Sequence, residues 1–120
     1  MVSGRVGDSD AGASGSRTYL FIETRSDLES PDVLTMLTLV GGLREAGHDV
    51  SLFLVQNAVT MAGRIGELLD LARAGVTVWA DDHSLATRGL QSPPCDGIRL
   101  GGVSDVVRIL TTPGVVPVWH

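Results

Sequence analysis

The residues best suited to chemistry in this chain fall into two clusters. The sharper is Asp81-Asp82-His83, two adjacent carboxylates and an imidazole that could serve as acid, base or metal ligands. Adjacent residues at a strand end point to opposite faces, so at most two of the three can converge on one point. Neither His48 nor His120 stands at a metal-like spacing from them, and no metal centre is expected. A structural alternative is that Asp82 or Ser84 caps a short helix. Arg88 follows on that helix and could pair with Asp81 or Asp82, an ion pair of modest value if exposed.

The second cluster is Glu23-Thr24-Arg25-Ser26, just before a helix start at Pro31. A helix N-terminus with Arg25 beside it is a plausible anion pocket. Neither a Walker pattern nor G-x-G-x-x-G occurs, so nucleotide binding lacks support and no cofactor is expected. Gln56 and Asn57 could hydrogen-bond a ligand or satisfy their own turn. Cys95 is the sole thiol. Sulfur chemistry there would need an exposed loop and a depressed pKa; a packed, inert cysteine is the alternative.

The elements that must position these groups follow from hydrophobic pattern. Thr18 to Glu23 is nearly continuous in apolar content, as a strand covered on both faces should be. Ser30 then serves as N-cap, with Pro31 at the first helical position and Asp32 placed well against the helix dipole. That helix runs to about Ala46 and ends at Gly47. A second strand spans Asp49 to Val55, and a second helix Thr60 to Ala74 with Ile65, Leu68, Leu69 and Ala72 as its core stripe. Val76 to Ala80 is a short buried strand leading into Asp81-Asp82-His83 and a short helix that stops at Gly89. Ile98 to Leu100 is a brief fourth strand, Asp105 to Leu110 a helix capped by Ser104, and Val115 to Trp119 the last strand. Pro117 places that last strand at a sheet edge.

Strand and helix alternate throughout. The fold class expected is α/β, a five-stranded, mostly parallel, doubly wound sheet with right-handed crossovers. Ligand sites in such sheets lie at the carboxyl ends of the strands, which is where both clusters fall.

The first helix is over-supplied with apolar residues. Val33, Leu34, Met36, Leu37, Leu39, Val40 and Leu43 cover well over half its circumference, whereas packing on a sheet needs a stripe of roughly 100°. The surplus is best used in a subunit interface.

Composition narrows the classes further. A chain of 120 residues suits one domain. Residues 1–17, rich in Gly, Ser and Asp, read as a disordered tail, and residues 18–120 as the folded domain. The tail lacks the apolar core of a secretory signal, no apolar run is long enough to span a membrane, and a cytoplasmic location is the expectation. A net charge of -5, with no Lys and scattered Arg, argues against a nucleic-acid partner.

The order of elements and several local sequences resemble the DsrE/DsrF-like family of sulfur-relay proteins, of the TusD type. The likeness runs from Tyr19 to Trp119. It is carried by the apolar first strand, the long helix ending Glu45-Ala46-Gly47-His48, and Ser51-Leu52-Phe53-Leu54 followed by Gln56-Asn57-Ala58-Val59. It continues in Ala74-Gly75-Val76, Thr87-Arg88-Gly89 and Gly97-Ile98. The resemblance implies a three-layer α/β domain and an oligomer, a trimer or hexamer included, built from like or homologous chains. It also implies a sulfur-relay partner protein. In sulfur-transferring members a cysteine just past the third strand carries a persulfide; aligning the glycines puts Asp81 at that position, and a carboxylate cannot carry a persulfide.

Three functions are therefore expected in turn. The first is a sulfur-relay subunit, acting through Cys95 or as the non-catalytic partner of a thiol-bearing chain. The second is a small-molecule binding protein or enzyme using Asp81 and His83, with Glu23, Arg25, Gln56, Asn57, Asp82 and Arg88 around the ligand. The third is a structural oligomerisation module.

Overall fold

In the computed structural model, residues 15–90 and 97–120 are described. Five parallel strands form one sheet: β1 (Thr18–Glu23), β2 (Asp49–Leu54), β3 (Thr77–Asp81), β4 (Ile98–Gly101) and β5 (Val115–Trp119). Their spatial order is β4-β3-β2-β1-β5. The chain thus steps from β1 through β2 and β3 to β4 in one direction, then returns across the sheet to place β5 on the far side of β1. With right-handed connections, that reversal sends the last crossover helix to the opposite face.

Packing follows this path. Helices α1 (Asp32–Glu45) and α2 (Gly66–Arg73) cover one face, where Val33, Met36, Leu37, Val40 and Leu68 bury against Phe21, Leu52, Leu54 and Val78. The short helix α3 (Asp82–Thr87) adds Leu85 to the same core. On the other face α4 (Val103–Leu110) sets Val106, Ile109 and Leu110 over Leu20, Ile22 and Phe53. Successive residues of β1 and β2 feed the two cores alternately, the period of two that a strand imposes. Both strands are covered on both faces, which explains why they read as continuous apolar runs.

Three helices end alike. After α1, the Gly47 N–H donates to Arg44 O and the His48 N–H to Leu43 O. Gly75 and Val76 repeat the pair of bonds after α2, and Gly89 and Leu90 after α3. Each is a Schellman turn, and each needs its glycine because φ there is positive, +97°, +102° and +66° respectively.

Several boundaries differ from those the pattern suggests. The regular part of α1 begins at Asp32, with Ser30 Oγ accepting the Asp32 N–H at 3.2 Å. The expected helix from Thr60 to Ala74 is two pieces: a 3-10 helix at Gln56–Met61, then α2. Gly63 lies between them at φ +76°, a backbone conformation that no helix continues through. The half-buried Ile65, Leu69 and Ala72 only flank the α2 stripe, whose buried members are Leu68 and Leu71. Finally, Ser104 is not the cap of α4. That helix starts at Val103 behind Gly102, whose N–H donates to Asp105 Oδ2 at 3.0 Å. β5 pairs with β1 alone, so Pro117 sits on an edge strand as its missing N–H requires.

Candidate functional site

The carboxyl ends of the strands gather the side chains that the sequence singles out, but in two separate networks. The first surrounds Asp81. β3 delivers this residue to the start of α3, where it is 7% exposed and adopts an extended conformation as N-cap. Its Oδ2 accepts the Ser84 N–H at 2.9 Å and the Ser84 hydroxyl at 2.6 Å. Ser84 Oγ in turn accepts the Gln56 N–H at 2.8 Å. The cap therefore ties β3, α3 and the end of β2 together. Gln56 is held there at φ +52°, an uncommon conformation for a non-glycine residue.

Arg88 does not pair with Asp81 or Asp82. Its Nε and Nη2 fork onto Asn57 Oδ1 at 3.0 and 2.8 Å, and its Nη1 donates to Ser84 O. Asn57 Nδ2 donates to Glu29 Oε2 at 2.8 Å, while Glu29 Oε1 accepts the Ser26 N–H at 2.9 Å. The Ser26 N–H, followed by the Asn57 amide, holds the Glu29 carboxyl below the usual carboxylate range. Nearby, Arg64 bridges to Asp27 and lowers its pKa, chiefly through their hydrogen bond. These contacts lace the β1–α1 loop to the 3-10 helix and α3. Asn57 and Arg88 are spent on each other, and Gln56 contributes its backbone to the cap.

Asp82 and His83 are exposed on the first turn of α3, apart from the buried cap. The structure brings neither onto a common point with Asp81. Asp82 lies beside the Gly102 backbone, where an added Cβ would stand 3.4 Å from its Oδ1. Cys95 lies outside the described residues. Among the described residues no group of three or more His, Cys, Asp or Glu is placed to share a metal ion.

The second network is at the ends of β1 and β5. Glu23 is fully buried, at 0% exposure. Its Oε1 lies 2.6 Å from His120 Nδ1, and its Oε2 accepts the Arg25 N–H at 2.8 Å. The parallel ladder pairs Ile22 with Trp119, and His120 continues it: its N–H donates to Ile22 O at 2.9 Å, and its carbonyl accepts from the Thr24 N–H and hydroxyl. Glu23 and His120 are thus cross-strand neighbours. The imidazole is part exposed, at 30%. Sequence reasoning missed His120 because it stands far from every other ionisable residue along the chain. The sheet order that joins it to Glu23 depends on where the last strand inserts.

That insertion matters, because β1 and β5 flank the point where strand order reverses. In open α/β sheets the crevice outside the carboxyl ends at such a switch point is the usual ligand site. Asp81 lies two strands away from it in the sheet. The structure therefore separates the conspicuous acidic cluster from the topologically favoured position.

No protein-family model matches the chain, and no curated protein sequence matches it. Solved structures do share its fold. A protein of unknown function from Methanobacterium thermoautotrophicum, MTH1491, superimposes with a TM-score of 0.71 over 88% of this chain and 100% of its own, at 19% identity. The ychN protein of E. coli does so with a TM-score of 0.69 over 86% of this chain and 99% of its own, at 23% identity. The parallel, three-layer α/β architecture is common to them; identities this low speak for the fold alone.

Proposed function

We propose that this chain is a DsrE-like subunit of an intracellular sulfur-relay oligomer, and that it contributes an assembly surface to the relay while a partner chain contributes the thiol. One observation carries this reading. The position that the family resemblance assigns to the persulfide cysteine is held by Asp81, a buried carboxylate committed to capping α3. It is a structural residue at a place where a carrier would need an exposed sulfur.

The assembly role rests on α1. Its sheet-facing side uses Val33, Met36, Leu37 and Val40, yet Leu34 and Leu39 remain 42% and 52% exposed. Between α1 and α2 runs a groove floored by Leu34, Leu37 and Leu71, with Glu67 and Asp70 on its rim. Isolated exposed leucines are ordinary, but Leu34 lines an apolar groove and Leu39 extends the exposed apolar surface of the same helix, which suits a protein partner. No described helix is long and apolar enough to cross a membrane. The similarity in fold to MTH1491 and ychN is in keeping with the DsrE-like assignment.

Intact-mass spectrometry after incubation with a cysteine desulfurase and free cysteine tests the division of labour. The expected result is an unmodified chain. A sulfur adduct on Cys95 that is passed on to an acceptor would make this chain a carrier and end the proposal. The reading of the fold as a small-molecule enzyme draws its support from Glu23 and His120 rather than from Asp81 and His83.

A further inference from the structure

Two apolar features of the surface lie on opposite faces of the sheet. One is the groove between α1 and α2, floored by Leu34, Leu37 and Leu71. Gly41 lies in its wall and lets the two helices approach closely, since an added Cβ there would stand 3.2 Å from Leu71 Cδ2. The open volume is about 250 Å3, under the roughly 300–1,000 Å3 of a small-molecule pocket. A recess of that size takes side chains. Glu67 and Asp70 stand exposed on its rim, and neither carboxylate has an ion pair or hydrogen bond among the described residues.

The other feature is α4. Val106, Ile109 and Leu110 pack on the sheet, while Val103 and Val107 are 75% and 51% exposed. Four residues apart on the helix, these two valines stand one above the other and make an apolar ridge. Arg108, also exposed, follows directly, and its ion-pair partner among the described residues is Asp105 of the same helix, at 3.3 Å. An exposed pair of this kind contributes little and leaves the guanidinium free to turn outward. The ridge thus carries a cation where the groove carries two carboxylates.

Charge decides which surfaces can meet. Two grooves set face to face would bring Glu67 and Asp70 against the same carboxylates of a second copy, and two ridges would oppose their arginines. Ridge against groove joins apolar to apolar and cation to anion, in the way that packed helices interlock. We propose that the α4 ridge of one copy docks in the α1–α2 groove of a second copy of this chain, with Val103 and Val107 against the leucines of the groove and Arg108 reaching Glu67 and Asp70. Because groove and ridge occupy opposite faces of one sheet, a single neighbour cannot fill both. The contact is heterologous: a pair leaves one groove and one ridge open, and growth stops only when a ring of three or more closes. This pairing rests on the assembly role proposed above and names the partner and the patch it presents.

Sedimentation velocity on the full chain tests it with two variants, Val107→Glu on the ridge and Leu34→Glu in the groove, circular dichroism checking that each is folded. The wild type is expected as a species of three or more chains, and each variant alone as a monomer. An equimolar mixture of the two variants keeps one intact ridge and one intact groove. At concentrations well above those that assemble the wild type, that mixture is expected to give a dimer and nothing larger. Arg108→Glu should weaken assembly by on the order of tenfold, and adding Glu67→Arg and Asp70→Arg to it should recover most of the loss. A monomeric wild type overturns this pairing and the assembly role together. A wild type that stops at a dimer overturns the pairing alone, and that measurement needs no variant to fold. So does an oligomer that persists in Val107→Glu, an Arg108→Glu chain that assembles as tightly as the wild type, or a variant mixture that stays monomeric or grows beyond a dimer.

Discussion

Replacing Asp81 separates a structural carboxylate from a reactive one. In Asp81→Ala the Ser84 N–H loses its acceptor at the start of α3, and the buried Ser84 hydroxyl loses the oxygen it donates to. Loss of an N-cap of this type costs about 1 kcal/mol. A buried hydroxyl deprived of a partner costs about 1–3 kcal/mol. Because the Gln56 N–H still donates to Ser84 Oγ, the lower end of that range applies, and the sum is about 2 kcal/mol. For a domain of roughly 100 ordered residues this lowers Tm by about 8–16 °C. Asp81→Asn keeps an acceptor for the Ser84 N–H and gives up only the charge at the helix N-terminus, so its cost stays below about 1 kcal/mol. Urea and thermal unfolding followed by circular dichroism measure both variants. Equal stability of Asp81→Ala and wild type would mean that the Asp81 cap does not hold α3 in place. So would an Asp81→Asn as damaged as Asp81→Ala, because a charge and not a cap would then be the essential feature.

Other outcomes follow from the same geometry. Gly101→Ala places a Cβ 2.6 Å from the Trp79 ring and 2.9 Å from Asp105 Oδ2, an overpacking that costs about 1–3 kcal/mol by denaturant titration. Asp27, Glu29 and Asp105 have folded pKa values lowered, by Arg64, the Ser26 N–H and the Gly102 N–H respectively. Lowered carboxylate values stabilise the fold above the unfolded pKa. That stability is lost as pH falls through the folded pKa, so unfolding should ease below about pH 4. Arg64→Gln should flatten this acid limb, as read by Tm against pH. Joint substitution of Leu34→Glu and Leu39→Glu should leave thermal stability of the isolated chain nearly unchanged, since both side chains are substantially exposed, and should abolish self-association in sedimentation velocity.

The alternation of strands and helices was legible because it rests on local physics. β1 and β2 are buried on both faces and read as such, and the glycines after the helices mark positive φ in Schellman turns. The division of the second helix was less legible, because Gly63 and Gly66 are tolerable within an isolated helical pattern. At the site, the location of Asp81 at a strand end followed from pattern, but its bonding did not. Which of Asp81, Asp82 and Ser84 caps α3 depends on a one-residue difference in where the helix begins, and such boundaries are not set by hydrophobic periodicity. Arg88 turned to Asn57 because the 3-10 helix, unforeseen at Gln56–Met61, carries that amide across to α3. The Glu23–His120 pair was out of reach. It is a contact between residues 97 positions apart, made when the chain crosses back over the sheet to insert β5 beside β1.

In the role proposed above, this chain is an assembling subunit with its α1 face as the contact surface. Multi-angle light scattering of the purified wild-type chain at micromolar concentration tests it most directly. The expected mass is a small whole-number multiple of the 12.6 kDa chain, falling to that of a single chain in the Leu34→Glu, Leu39→Glu variant. A wild-type chain that is monomeric under these conditions would contradict it.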